Sequence, residues 1–245
     1  MARRMNPWLG WALAIAVAAG FGSLGFWQLD RAQQKQAMLT DAQRVLEERN
    51  PRPLSLAADA SRARSYDWVA GEGEFAEAPA VLLDNQQRDG RSGVRAYRLF
   101  VPVGSAPLLV ELGWLPVPGD RRMPAIGLPP GKMRVQGLLA PAPSHGIASA
   151  IAARQANGDL LTIGLDAANL ASSLGVHNLP ARVLKLDPGM ELGYTRDLDV
   201  LPNTLPPQRH IAYAVQWFGL ALAVLATAAI LTFRHRRAGR AKMPA

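Results

Sequence analysis

The side chains in this sequence best suited to ligand chemistry are four histidines: His145 and His177 mid-chain, His210 at the start of a long apolar run, and His235 among C-terminal arginines. His210 is distinguished by its neighbours. Tyr213, Ala214 and Trp217 follow it at i+3, i+4 and i+7, so on a helix the four share a face. Trp217 then lies about 10 Å further along the helix, at ~1.5 Å per residue. Trp27 stands near the end of an earlier apolar run, and Arg31 and Arg209 flank the two runs. A neutral imidazole is a common metal ligand, and arginine pairs with carboxylates. The same residues read equally as a polar helix cap with a belt of interfacial aromatics and flanking cations. The sequence leaves both open.

Other chemistry finds little support. Ser144 and His145 adjoin in a Pro/Ala-rich stretch, but no Gly-x-Ser-x-Gly, His-Glu-x-x-His or phosphate-cradling glycine loop is present. The paired acids Glu47 and Glu48, and Glu72 with Glu74, fall where solvation is the default. With no cysteine, disulfide scaffolds, thiol catalysis and copper–thiolate sites are excluded. Met123, Met133 and Met190 are too scattered for a copper-delivery tract. No catalytic residue and no enzymatic activity are expected.

The formal net charge of +8 belongs to the tails. Residues 30–209 carry 20 Lys+Arg against 19 Asp+Glu, so the segment between the apolar runs is nearly neutral. It lacks the one-sided basic footprint of a nucleic-acid binder, and no nucleic-acid partner is expected.

These residues must be positioned by the two apolar runs. Pro7 to Leu29 and Ile211 to Phe233 are uncharged and long enough to cross a ~30 Å hydrocarbon core. The first competes with a cleaved signal peptide, but it extends some ten residues past the small residues Ala16 to Ala19. The second meets Arg234, Arg236, Arg237, Arg240 and Lys242. With Arg3 and Arg4, this places both termini on the cytoplasmic side. The expected order is a cytoplasmic tail (1–7), a transmembrane helix (8–29), an extracytoplasmic domain (30–209), a second transmembrane helix (210–233) and a basic cytoplasmic tail (234–245). The expected location is a bacterial inner membrane, with the domain in the periplasm.

Within the domain, Met38, Leu39, Ala42, Val45 and Leu46 recur at helical spacing, which predicts an amphipathic continuation of the first helix until Asn50, Pro51 and Pro53 stop it. Short apolar runs bounded by turn residues predict strands at Trp68–Phe75, Ala80–Asp84, Tyr97–Val103, Leu108–Leu115, Met133–Leu139 and Arg182–Leu186. Arg88-Asp89-Gly90 and Pro118-Gly119-Asp120 signal turns. Asp166 and Gly175 cap and stop one short helix. The expected fold class is two transmembrane helices flanking a mostly antiparallel, barrel-like or sandwich α+β domain.

Three passages together resemble the surfeit-locus-one family of cytochrome c oxidase assembly proteins: GFWQLDRAQQK (Gly25–Lys35); LLDNQQRDGRSG with VELGWLPVPGDR (Leu82–Gly93, Val110–Arg121); and LDPGMELGYTRDL with LPPQRHIAYAVQWFGLA (Leu186–Leu198, Leu205–Ala221). Their order and their positions relative to the apolar runs match along nearly the whole chain. One departure is Glu111-Leu112-Gly113-Trp114 in place of an Asn-Arg-Gly-Trp pattern, which argues against a binding role for that strand. The resemblance implies an assembly factor for a haem–copper oxidase that transiently binds haem a, with His210 as axial ligand. Tyr213, Trp217 and Trp27 would line an aromatic slot, and Arg31 and Arg209 would pair with the propionates. The implied partners are the oxidase's catalytic subunit, membrane lipid and, as a second candidate, haem a synthase. The alternative is a structural scaffold that never touches haem.

Overall fold

The computed structural model describes residues 7–143, 151–200 and 205–240. Arg3, Arg4, Ser144, His145 and Lys242 lie outside the described residues. The chain divides into two compact units, one of Met1–Met38 with Thr204–Ala245 and one of Leu39–Asn203.

Helix α1 (Pro7–Glu48) runs unbroken for 42 residues. At ~1.5 Å per residue it is about 63 Å long, roughly twice the thickness of a hydrocarbon core. It ends where Arg49 turns to φ 42° ahead of Asn50 and Pro51. Helix α3 (Pro207–Arg240) opens on a proline, whose missing N–H costs nothing at a first helical position. Both helices are long and apolar enough to cross a membrane, and little of either apolar stretch is buried within the molecule. Side chains such as Trp8, Leu9, Phe26, Leu222 and Phe233 are largely exposed, which would be costly in water and is ordinary in lipid.

The second unit carries nine strands: β1 (Arg52–Pro53), β2 (Asp67–Phe75), β3 (Val81–Arg88), β4 (Arg91–Pro102), β5 (Leu108–Pro116), β6 (Lys132–Pro141), β7 (Ala153–Arg154), β8 (Leu160–Thr162) and β9 (Arg182–Leu186). All six predicted strands are present. The sheet order is β1-β2-β6-β9-β5-β4-β3-β8-β7, and β2 pairs with β4 as well, so the succession β2-β6-β9-β5-β4 returns to its start. The expected strand-rich domain is there, but its sheet is mixed: β1 with β2, β3 with β8 and β5 with β9 are parallel pairs. The reason is non-local, because β9 arrives late in the chain and inserts between β6 and β5.

The central strands are buried on both faces. Leu82, Val94, Phe100, Leu108, Val110, Leu112, Val135 and Leu184 form one core. Their alternates Val81, Leu83, Tyr97, Leu99, Leu109 and Val183 form another with Leu170 and Leu174. The latter two lie on or beside the short helix α2 (Ala167–Ser173), whose N-cap Asp166 accepts the Asn169 N–H at 3.0 Å. Asp89 and Gly90, both at positive φ, make the β3–β4 turn that the sequence signals. The C-terminal part of α1 packs Ala42 and Val45 against Tyr66, Trp68 and Leu138.

Two buried ionic groups pin this sheet. Asp67 accepts from Arg52 at 2.8 Å, Arg62 at 2.6 Å and the wholly buried Arg182 at 2.6 Å, joining β1, β2, β9 and the turn before β2. Burial alone would raise the Asp67 carboxyl, but these hydrogen bonds hold it below its ordinary value. Glu111 accepts from Arg95 at 2.5 Å and from the Tyr97 hydroxyl at 3.1 Å, with the Lys185 ammonium 4.0 Å away. Burial, and then the Glu111 charge, push the Tyr97 phenol well above its usual value, so it remains a donor. Glu111 is thus a structural counter-ion within β5.

Two expectations follow. Gly73 sits where β2 meets β4, and a Cβ there would stand 2.3 Å from the Val101 carbonyl oxygen. Gly73→Ala is expected to cost about 1–3 kcal/mol through forced displacement of packed backbone, measurable as a lower Tm of the detergent-solubilised chain. Asp67→Asn leaves Arg182 buried without its counter-charge, and removing one partner of a buried pair costs about 3–5 kcal/mol. Because the folded carboxyl titrates below its unfolded value of 3.8, its contribution is complete above that value. It is lost as pH falls through the folded value. Circular-dichroism melts at pH 2 to 6 should show an acid-side slope below about pH 4 in the wild type that is reduced in Asp67→Asn.

Candidate functional site

The two long helices meet along a seam with alternating spacings of three and four. On α1 the inward positions are Trp11, Ala14, Ala18, Phe21, Gly25, Gln28, Ala32 and Lys35; on α3 they include Pro207, His210, Ala214, Trp217, Ala221 and Val224. Such spacing keeps one stripe of each helix facing its partner. The contacts run antiparallel. Lys35 Nζ donates to the Leu205 carbonyl at 2.6 Å, and Gln28 meets His210 at 2.7 Å. Phe21 stacks on Trp217 with centroids 5.6 Å apart, and Trp11 Nε1 donates to Thr232 Oγ1 at 3.0 Å. The helices come close at Gly25, where a Cβ would stand 2.6 Å from the Phe218 ring.

In this apolar seam Gln28 and His210 form a polar layer. His210 is 9% exposed, and its Nδ1 lies 2.7 Å from Gln28 Oε1. Its Nε2 is buried and has no hydrogen-bond partner among the described residues. With Nδ1–H donating to Gln28, Nε2 keeps an uncommitted lone pair. That is the donor an axial metal bond requires. A buried polar atom left without a partner is costly in an ordinary helix contact, typically by about 1–3 kcal/mol, so the residues present fit an iron ligand at this position.

The other predicted residues distribute around this layer. Trp217 is on the seam two turns deeper, but it stacks on Phe21. Tyr213 is 39% exposed, because an i+3 step rotates it about 60° from His210, onto the flank of the seam. Trp27, beside Gln28, is 52% exposed. Arg31 is exposed and donates to Gln34 Oε1 at 3.1 Å, while Arg209 is exposed beside His210. His177 and His235 are exposed at positions remote in sequence from this layer. Thus His210 and Trp217 share the seam, and the aromatic and cationic candidates present outward around its end.

Gln28 and Lys35 were not singled out from the sequence. Their signal is the spacing of Gln28, Ala32 and Lys35 at i, i+4 and i+7, which continues the seam past the last apolar turn. Among the described residues no group of three or more His, Asp or Glu side chains is arranged to hold a metal ion without a macrocycle.

A protein-family model described as the SURF1 family matches residues 15–222. A search of curated proteins finds no match.

The close approach at Gly25 predicts that Gly25→Leu forces the Phe218 ring aside and parts the seam. Since the chain has no cysteine, a Trp11→Cys/Thr232→Cys pair can report this through a short bismaleimide. Crosslinking should be efficient in the otherwise wild-type chain and at least several-fold weaker with Gly25→Leu.

Proposed function

Since the chain belongs to the SURF1 family, which is associated with cytochrome oxidase assembly, we propose that it is a membrane-anchored assembly factor that binds haem a through His210 and presents it to the oxidase's catalytic subunit. The observation that carries this reading is the buried, unpartnered Nε2 of His210 beside a fixed Nδ1. When bound, the haem would supply an iron for Nε2 and two propionates for nearby cations. Arg31, Lys35 and Arg209 are the basic side chains nearest His210 along the two helices and would hold the carboxylates. Tyr213 and Trp27, exposed on the flanks, would cover the macrocycle edge, and Trp217 would close the slot below.

A single axial nitrogen would suit a carrier: the bond holds the cofactor but lets it leave. We also read the protein as a resident of the bacterial inner membrane. Arg234, Arg236 and Arg237 are exposed at the end of α3 and favour a cytoplasmic C-terminus. On this reading residues 30–209 lie in the periplasm, where the strand domain would dock on the nascent oxidase subunit or on haem a synthase. The returning succession of strands in that domain we read as a closed, barrel-like wall. No catalytic step is assigned to the chain.

A second reading, a scaffold without haem, draws on the size of the strand unit, which has a core of its own and no need of the helix seam to build one. The two readings separate on the visible spectrum of the detergent-purified chain from cells making haem a. The carrier predicts a Soret band and extractable haem a in the wild type, with at least a tenfold loss in His210→Ala. A colourless wild-type protein that co-purifies with the oxidase subunit would replace the carrier by the scaffold.

A further inference from the structure

We propose that Gln28 is a positioning residue for His210: its Oε1 accepts the Nδ1–H proton and so holds the ring in the tautomer whose Nε2 lone pair is free for iron. This rests on reading His210 as the ligand, and it names the group that makes His210 competent.

The argument begins with the imidazole. A neutral ring carries one proton, on Nδ1 or on Nε2, and the partner of one nitrogen decides the state of the other. Gln28 Oε1 lies 2.7 Å from Nδ1, while Nε2 is buried without a partner among the described residues. Turning the amide round would let its NH₂ donate to Nδ1 and move the ring proton to Nε2. An N–H would then be buried without an acceptor, a rarer and costlier situation than an idle lone pair. The charged groups around the ring agree. Arg31 and Lys35, on the stretch of α1 after Gln28, and Arg209 beside His210 are donors only and cannot accept the Nδ1 proton. Asp30 is on the same stretch of α1, but its Oδ2 accepts from Gln34 at 2.7 Å. Gln28 is therefore the acceptor among these groups.

Gln28 also fixes the ring in space. It belongs to α1 and His210 to α3, and two turns further along α1 Lys35 Nζ donates to the Leu205 carbonyl just before α3 begins. The first turn of α3 is thus held at two points, which sets the rotation of the helix and the direction of Nε2. The partner being a neutral amide also matters. A carboxylate would draw the Nδ1 proton more strongly and make Nε2 a more basic, tighter ligand. An amide orients the ring while leaving the bond exchangeable.

The test uses the full chain in detergent, labelled with ¹⁵N-histidine, first without iron. The His210 ring signals are identified by their loss in His210→Asn. The expected result is a protonated Nδ1 and a bare Nε2 in the wild type and in Gln28→Glu, with mixed tautomers in Gln28→Leu. A wild-type ring protonated on Nε2, or a Gln28→Leu ring unchanged from wild type, would overturn the proposal. The same proteins are then loaded with ferric protoporphyrin IX, and its transfer to excess apomyoglobin is followed. Gln28→Leu should release the porphyrin about 10–100-fold faster than wild type, whereas Gln28→Glu should release it more slowly and lower its reduction potential. A packing role alone would leave the potential in Gln28→Glu where it is in wild type, and that result also overturns the proposal. If the wild type takes up no iron porphyrin, His210 loses its assignment as ligand, and the iron-free tautomer measurement still decides for or against Gln28.

Discussion

The hydrogen bond between Gln28 and His210 sets the register of the helix pair at the end that carries the imidazole. The remainder of the seam is built largely from Ala14, Ala18, Phe21, Gly25, Ala214, Trp217 and Ala221, whose packing is close but weakly directional. Between apolar surfaces in lipid there is no hydrophobic drive to prefer one register, and small residues permit several. A polar side chain facing the seam cannot slide by a turn without losing its partner, so a single such layer fixes register and rotation together. Here the layer sits next to the Lys35–Leu205 contact, at the end of the seam where the charged segments begin. The end carrying the imidazole is therefore fixed by two directional bonds, the far end by the Trp11–Thr232 hydrogen bond, and the stretch between them by shape.

The strand unit solves the same problem with charge. A succession of strands buried on both faces offers little but hydrophobic alternation to choose its pairing, and a one-residue slip of Val81, Leu82 and Leu83 would exchange one apolar core for another. Asp67 with three arginines and Glu111 with Arg95, Tyr97 and Lys185 remove that freedom, since a slipped strand would strand a buried charge. Both groups include a residue of β9, namely Arg182 and Lys185. The strand that arrives last in the chain is thereby the one most strongly specified by ion pairs. Lys185 Nζ also donates to the Asp199 carbonyl at 2.5 Å, which carries the specification into the segment beyond β9.

Much of this was legible in the sequence, and what was not has physical reasons. The six main strands and their turns follow from apolar runs bounded by Gly, Pro, Asn and Asp, because those signals are local. The parallel pairing of β9 is a contact between distant segments, and no local pattern encodes it. Strands β1, β7 and β8 are two or three residues long, below the length at which alternation can be seen. In the helix pair, His210 and Trp217 were found by spacing. Tyr213 satisfied the same spacing rule, yet it lies on the flank because i+3 and i+4 rotate in opposite senses from the starting residue. Gln28 was overlooked for the opposite reason. Its seam neighbours Gly25 and Ala32 are small, and in a helix rich in Ala, Gly and Leu a stripe of small residues does not stand out from the background.

The burial of Nε2 constrains how any ligand could use it. In the closed seam this nitrogen is covered, so an axial bond at His210 would require the packing over Nε2 to open while the Gln28–His210 contact holds. A ligand shifts such an equilibrium only by what it gains in the open state beyond the closed one. On the proposed reading, iron coordination, cation pairing of two carboxylates and stacking by exposed Tyr213 and Trp27 would be gains available only with Nε2 uncovered. A bare metal ion could offer the first of these and neither of the others. On that reading, a small seam with one oriented imidazole inside and aromatic and basic side chains outside would discriminate by the number of simultaneous contacts and not by the strength of one bond. The same arithmetic would favour release, since a recipient that took over the outer contacts would leave the seam free to regain its own packing.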